Sequence, residues 1–223
     1  MSDHVLVLGG GLAGVACAHK LGDEGIDVTL VDRNDYHQFQ PLLYQVASSQ
    51  LPAEDIARPH RTIFRDYPSV TVCTADVAEA NLAERSLVLT DGQALTGSHL
   101  VMAAGARPNF FGVPGAAEHS FPLYSVADAE RLRQHLQQLL QESMDGDASA
   151  EPDALDVVVV GGGPTGVETT GALAELMRAL HQTGRLKQPG QITIVDRGSA
   201  LLGQFSSKAH KYAHRKLTEA GAE

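Results

Sequence analysis

Gly9, Gly11 and Gly14 stand at the spacing Gly-x-Gly-x-x-Gly, with Gly10, Leu12 and Ala13 between them, and the spacing returns at Gly161, Gly163 and Gly166. Two aspartates complete the pattern: Asp32 closes the apolar run Val28-Thr29-Leu30-Val31, and Asp196 closes Ile192-Thr193-Ile194-Val195. These residue types suit a dinucleotide. The first glycine permits a tight turn, the second lets the backbone approach a pyrophosphate, and the third lets helix and strand pack closely. A helix starting in such a loop offers unpaired N–H groups and the positive end of its dipole to the phosphates. The strand-end carboxylate accepts hydrogen bonds from ribose hydroxyls and would repel a 2′-phosphate. Asp196 therefore points to NADH over NADPH, with Arg197 beside it as a counterweight. One copy of the spacing is compatible with nothing more than a strand–helix turn; two copies, each with its aspartate, make nucleotide binding the stronger reading.

Such loops work only between a strand and a helix. Residues 4–8 (His-Val-Leu-Val-Leu) read as the first strand, residues 12–21 as a small-residue helix, and 27–31 as the second strand. Pro41, Pro52, Pro59 and Pro68 break up residues 34–68, which read as irregular. Residues 70–73 read as a strand, and 77–80, 86–90 and 93–96 as an antiparallel meander turning at Asp91-Gly92; 100–104 then runs into Gly105. A helix over 126–142 has Ser125 as N-cap, Asp128 in its first turn, and Leu132, Leu136 and Leu139 on one face. Residues 143–154 are small and acidic and read as an exposed loop. The opening pattern then repeats, with strands at 156–160 and 192–195, a helix over 164–180, and a last helix from near Ser206 to near Gly221. In the first unit the sheet should be parallel, with 4–8 between 27–31 and 100–104.

The formal charge is −10, from 27 acidic against 17 basic side chains, which argues against a nucleic-acid partner. It does not argue against anionic cofactors, because backbone amides can hold phosphates. Two cysteines, Cys17 and Cys73, have no close partner, so neither a disulfide framework nor a structural zinc site is expected, and both read as packed thiols. His210 and His214 are four apart on a helix without a third ligand nearby, and a solvated helix face is the expectation. No apolar run approaches the roughly 20 residues that span a bilayer. A strand beginning at residue 4 leaves no room for a signal peptide ahead of it.

Three segments sharpen the reading: Asn34-Asp-Tyr-His-Gln-Phe-Gln-Pro-Leu-Leu-Tyr-Gln-Val-Ala47, Ala103-Ala-Gly-Ala-Arg-Pro-Asn-Phe-Phe-Gly-Val-Pro-Gly115 and Gly161-Gly-Gly-Pro-Thr-Gly-Val-Glu168. With the two glycine loops, they resemble the type II NADH:quinone dehydrogenases among the two-dinucleotide-binding FAD/NAD(P) flavoproteins. The resemblance covers nearly the whole chain except residues 143–154. It implies one FAD that accepts hydride from NADH and passes two electrons to a membrane quinone without proton pumping. By the same resemblance, Gly9 to Gly14 with Asp32 and Arg33 bind the FAD pyrophosphate and ribose. Val77 meets the adenine through its backbone, Ala104-Gly105 pass close to the cofactor, and Pro41 to Gln45 lie near the flavin end. Gly161, Gly163, Gly166 and Asp196 hold NADH. Glu168, just beyond the third glycine, is the one side chain assigned to catalysis, in positioning NADH or assisting quinone reduction; the plain alternative is a first-turn glutamate complementing the helix dipole.

The expected fold is thus α/β, with two Rossmann-like dinucleotide-binding units on parallel sheets, the first with an antiparallel meander as crossover. Residues 1–112 are expected to form the FAD-binding domain and 113–223 an NADH-binding domain. By comparison with the family, a third strand of the NADH unit, the return to the FAD domain, the quinone pocket and a membrane-holding region would lie beyond Glu223, so the chain is read as C-terminally short. Either it is a fragment or a shortened relative. Expected partners are NADH and a quinone, with the membrane surface met only through the missing region, a homodimer left open, and a cytoplasmic, inner-face location for the complete enzyme. A non-catalytic nucleotide-binding fragment, or another pyridine-nucleotide flavoprotein reductase, is the alternative. Alone, the 223 residues are expected to hold FAD weakly, to self-associate and not to turn over.

Overall fold

Apolar runs rich in valine, isoleucine and leucine extend as strands, and each glycine loop turns the chain into a helix. A computed structural model describes residues 3–145 and 155–223. In chain order, β1 (His4–Leu8), α1 (Leu12–Asp23) and β2 (Asp27–Asp32) open the fold. Next come β3 (Tyr36–Gln38), α2 (Leu43–Ala47), β4 (Ala57–Pro59) and α3 (His60–Ile63), followed by β5 (Val70–Thr74). β6 (Val77–Asn81), β7 (Ser86–Leu89) and β8 (Ala94–Thr96) precede β9 (His99–Met102). α4 (Ala116–His119), α5 (Val126–Asp145), β10 (Val157–Val160), α6 (Pro164–Gln182), β11 (Ile192–Val195) and α7 (Ser207–Ala220) complete it. The elements divide into two units, Met1–Gln40 with Ala53–Pro114, and Pro41–Pro52 with Gly115–Glu223.

In the first unit the sheet order is β5-β2-β1-β9, parallel throughout, with β1 between β2 and β9 as the sequence predicts. Alternation along β1 explains why the whole run is apolar. Val5 and Val7 pack with Ala18, Val28, Leu30 and Phe64 on one face, while Leu6 meets Val31, Leu87 and Leu89 on the other. Leu87 and Leu89 come from the antiparallel meander β6-β7-β8, which covers that second face. Leu6, Val7, Leu30 and Val31 are fully buried. Each such side chain contributes about 1.5–3 kcal/mol through removal from water, and Leu30→Ala would cost about 2–5 kcal/mol.

Residues 34–68 are not irregular. β3 and β4 pair antiparallel, His37 opposite Arg58, and α3 begins directly after β4. The strands are three residues long and their pairing is non-local, so no alternation could show in the sequence.

The second unit pairs β10 with β11 in parallel, Val158 opposite Thr193. Leu173, Ala174 and Met177 of α6, Leu136 of α5 and Leu217 of α7 pack with Ile192, and Val157 and Val159 lie against this cluster. The alternate residues point away from it: Val158 is 64% and Val160 84% exposed. Ser125 caps α5 as expected, its hydroxyl accepting from Asp128 N–H while the Asp128 carboxylate accepts from Ser125 N–H. The helix continues to Asp145, into the stretch read as loop; residues 146–154 lie outside the described residues. α2 packs on α5 and α6.

The third strand was expected only after Glu223, yet its pairing starts at Ala222, which bridges Ile192 in parallel. α7 ends at Gly221 with φ 90°, and that turn sends Glu223 alongside β11, where Glu223 N–H donates to Ile192 O at 2.9 Å and Ile194 N–H to Glu223 O at 2.7 Å. The outer edge of β11 is therefore partly covered.

Candidate functional site: two glycine loops

Asp32 closes the first loop onto its strand. Its carboxylate accepts from Gly10 N–H and from Asn34 N–H at 2.7 Å, while Gly9 N–H donates to Val31 O at 2.8 Å. Gly14 is fixed by close packing: a Cβ there would lie 1.7 Å from Gly9 O. Gly11 is the N-cap of α1 and brings no side chain to the free N–H groups of Leu12, Ala13 and Gly14. A Cβ on Gly11 would meet nothing within 4 Å, so the backbone here borders open space.

The remaining predicted residues of this unit gather at the carboxyl ends of the parallel strands. Ala75 N–H donates to Asp32 O at 2.8 Å, which brings Asp76 and Val77, the first residue of β6, beside the end of β2. Arg33 pairs with Asp76 at 3.6 Å across an exposed surface, a contact worth about 0–1 kcal/mol. Ala103 N–H donates to Leu8 O at 2.8 Å, and the missing Cβ of Gly9 would lie 3.2 Å from Ala104 Cα. Ala104 and Gly105 thus run past the loop itself. β1 is the point where strand order reverses, with β2 on one side and β9 on the other, the place where ligands enter sheets of this kind.

The second loop repeats the contacts of its strand end and its aspartate. Gly161 N–H donates to Val195 O at 2.8 Å; Asp196 accepts from Gly162 N–H at 2.7 Å and Gly198 N–H at 2.6 Å. A Cβ on Gly166 would lie 1.7 Å from Gly161 O, and one on Gly163 would meet nothing within 4 Å. The amides of Gly162 and then Gly198 hold the Asp196 carboxyl below the usual carboxylate range, against partial desolvation and with a smaller contribution from Arg197. Asp196 therefore stays anionic at neutral pH and keeps lone pairs for a ribose, since a carboxylate offers about four acceptor sites. Asp32 retains the same spare capacity.

Glu168 sits differently from its expected place. α6 starts at Pro164 behind the N-cap Gly163, so Glu168 falls one residue past the first turn, exposed. Pro41 to Gln45 belong with the second unit, where Leu43, Val46 and Ala47 are buried. Cys17 and Cys73 are free and pack in separate clusters. Among the described residues, no group of three or more His, Cys, Asp or Glu could hold a metal ion, and no helix is long and apolar enough to cross a membrane.

His37 and His60 belong to neither glycine motif of the sequence, yet both join the first loop. Both ring systems reach the carbonyl of Gly10, His37 through Nδ1 and His60 through Nε2, each at 3.0 Å. Nothing in the local sequence marks them, because they converge only once β3 and β4 pair. Leu202 likewise joins the second loop: its N–H donates to Gly162 O at 2.7 Å.

Uncapped helix starts, open space at Gly11 and Gly163, and carboxylates with spare lone pairs together fit two dinucleotides. The sequence profile of the pyridine nucleotide-disulphide oxidoreductases matches residues 3–223. The chain is 31% identical to the type II NADH:quinone oxidoreductase Ndh of Mycobacterium tuberculosis (strain ATCC 25618 / H37Rv), over 98% of this chain and 49% of that protein. Against the type II NADH:quinone oxidoreductase of Staphylococcus epidermidis the identity is 30%, over 98% of this chain and 55% of that one. In fold it is similar to the solved NDH2 of Plasmodium falciparum in complex with NADH, with a TM-score of 0.88 at 21% identity, over 100% of this chain and 47% of that one. The chain spans about half the length of the curated relatives it matches.

Proposed function

Because this chain belongs to the pyridine nucleotide-disulphide oxidoreductase family, we propose that it supplies both nucleotide sites of a type II NADH:quinone oxidoreductase. The carrying observation is the duplicated loop, in which an aspartate at the strand end pins the second residue of the loop and leaves an uncapped helix start beside open space. The first loop holds FAD: the amides from Gly11 to Gly14 face its pyrophosphate, Asp32 with Arg33 takes the adenosine ribose, Val77 borders the adenine, and Ala104 and Gly105 line the approach. The second holds NADH through Gly161 to Gly166, with Asp196 on the ribose. FAD, when bound, supplies hydride acceptance from NADH and electron delivery to a quinone. Glu168 is the side chain assigned to orienting NADH or assisting quinone reduction.

Residues 1–112 are taken as FAD-binding and 113–223 as NADH-binding, with 41–52 folding into the second unit. The complete enzyme would lie on the inner face of the cell membrane as a peripheral protein. The test is spectroscopic. The complete enzyme reconstituted with FAD should show flavin absorbance that bleaches on anaerobic addition of NADH and returns with a soluble quinone. Flavin that binds but never bleaches would remove the oxidoreductase reading; failure to bind flavin or NADH would remove the nucleotide sites themselves.

A further inference from the structure

The two loops hold the carbonyl of their second residue with different groups. In the second loop the partner of Gly162 O is a backbone amide, that of Leu202. In the first, His37 Nδ1 and His60 Nε2 both lie 3.0 Å from Gly10 O. A carbonyl only accepts, so both nitrogens carry hydrogen, and together they fill its two lone pairs. With Gly10 N–H on Asp32, this one residue is held from both ends.

His60 is fully buried, and among the described residues its Nδ1 has no partner. Its neutral form with hydrogen on Nε2 satisfies the site; a proton on Nδ1 would bury an unmatched N–H. The fit is tight, since a Cβ on Gly10 would stand 2.3 Å from His60 Nε2. His60 also heads α3, directly after β4, its N–H donating to Asp35 O at 2.9 Å, so its backbone is tied to the residue just before β3, the strand that carries His37.

A trans peptide is planar, and its C=O and N–H point in opposite directions. Turning Gly10 C=O into the histidines turns Gly11 N–H the other way. A Cβ on Gly11 would meet nothing within 4 Å, so the ligand side of the loop is open there. We propose that His60, with His37 as second donor, is a positioning residue that sets the Gly10–Gly11 peptide so that the Gly11 amide faces the FAD pyrophosphate. The proposal rests on the reading that the first loop binds FAD.

The experiment compares FAD, ADP and adenosine binding by the unmodified chain, His60→Leu, His60→Gln and His37→Leu, by titration below the unfolding temperature of each. Loss of the His60 bond should weaken FAD and ADP about tenfold and leave adenosine unchanged, because adenosine carries no diphosphate to meet the amide. His60→Gln, which restores a donor, should recover part of the loss, and His37→Leu should show a smaller one. Equal weakening of all three ligands would make His60 merely structural and overturn the proposal, as would unchanged FAD and ADP affinity in His60→Leu. Imidazole ¹⁵N shifts that place hydrogen on His60 Nδ1 rather than Nε2 would also overturn it, even if the leucine variant fails to fold. An unmodified chain that binds neither FAD nor ADP overturns the FAD assignment itself, a result distinct from a variant that binds normally.

Discussion

Alanine at Gly166 and alanine at Gly163 should damage different things, although the residues are three apart in one loop. At Gly166 the new Cβ would lie 1.7 Å from Gly161 O, where ordinary contacts begin near 3.4 Å, so the start of α6 must withdraw by about half that distance. Overpacking of this kind costs about 1–3 kcal/mol, offset by up to about 1 kcal/mol that alanine gains over glycine in a helix. A net loss of about 1–2 kcal/mol lowers the unfolding midpoint by roughly 2–8 °C in a chain of this size. At Gly163 the backbone has φ −76° and ψ −177°, open to any residue, and the Cβ meets nothing within 4 Å. Folding should lose only about a few tenths of a kcal/mol to 1 kcal/mol from the poorer N-cap. The methyl group stands where a diphosphate must approach, so NADH affinity should fall about tenfold or more. Circular dichroism melting and NADH fluorescence titration separate the effects. A Gly166→Ala variant with an unchanged midpoint, or a Gly163→Ala variant that binds NADH normally, would refute the division of labour.

If Asp196 holds the adenosine ribose, the chain should bind NADH more tightly than NADPH, and Asp196→Ser with a nearby arginine should narrow the gap; equal affinities in the unmodified protein would contradict this. Glu168→Gln should leave FAD bound and depress turnover of the complete reductase, whereas unchanged kcat and KM would return Glu168 to an ordinary exposed helix residue. The Gly162 and Gly198 amides depress the Asp196 pKa. Its stabilisation is therefore complete above the unfolded value of about 4 and lost as pH falls through the lower folded one, so acid melting curves should steepen there and Asp196→Asn should flatten them. Residues 1–223 expressed alone should self-associate through the exposed Val158 and Val160, and threonine at both should reduce this in sedimentation; an unmodified monomer would refute it.

The strand β1 was legible because burial on both faces makes the run after His4 apolar. Val5 and Val7 need one partner surface and Leu6 another, so no polar residue interrupts β1, and the glycines after it mark where it must turn. The meander was legible through Asp91-Gly92, where Gly92 takes φ 88° and the Asp91 carboxylate accepts from Gln93 N–H. The β3–β4 pair was not, since its three-residue strands contain a proline and draw their order from distant partners. The start of the third strand was missed for the same reason. Ala222 and Glu223 carry no strand signal of their own, and only the Gly221 turn lays them along β11.

Within the site, spacing picks out the groups proposed to meet a ligand but not those that hold the loop. The strand-end aspartates illustrate the difference. From sequence each is a ribose acceptor, while in the fold each is also the acceptor for the N–H of the second loop residue, Gly10 or Gly162. Both roles use a carboxylate at one position, so the motif alone cannot separate them. The carbonyls of those same residues are held by groups the motif does not contain: Leu202 N–H for Gly162, and His37 with His60 for Gly10. Leu202 provides its bond through backbone, so most substitutions there would preserve it. His60 provides it through a buried side chain that fits only because residue 10 has no Cβ. Gly10 and His60 therefore form a pair that must change together: a larger residue at 10 requires a smaller one at 60, and that exchange gives up the donor that orients the Gly11 amide.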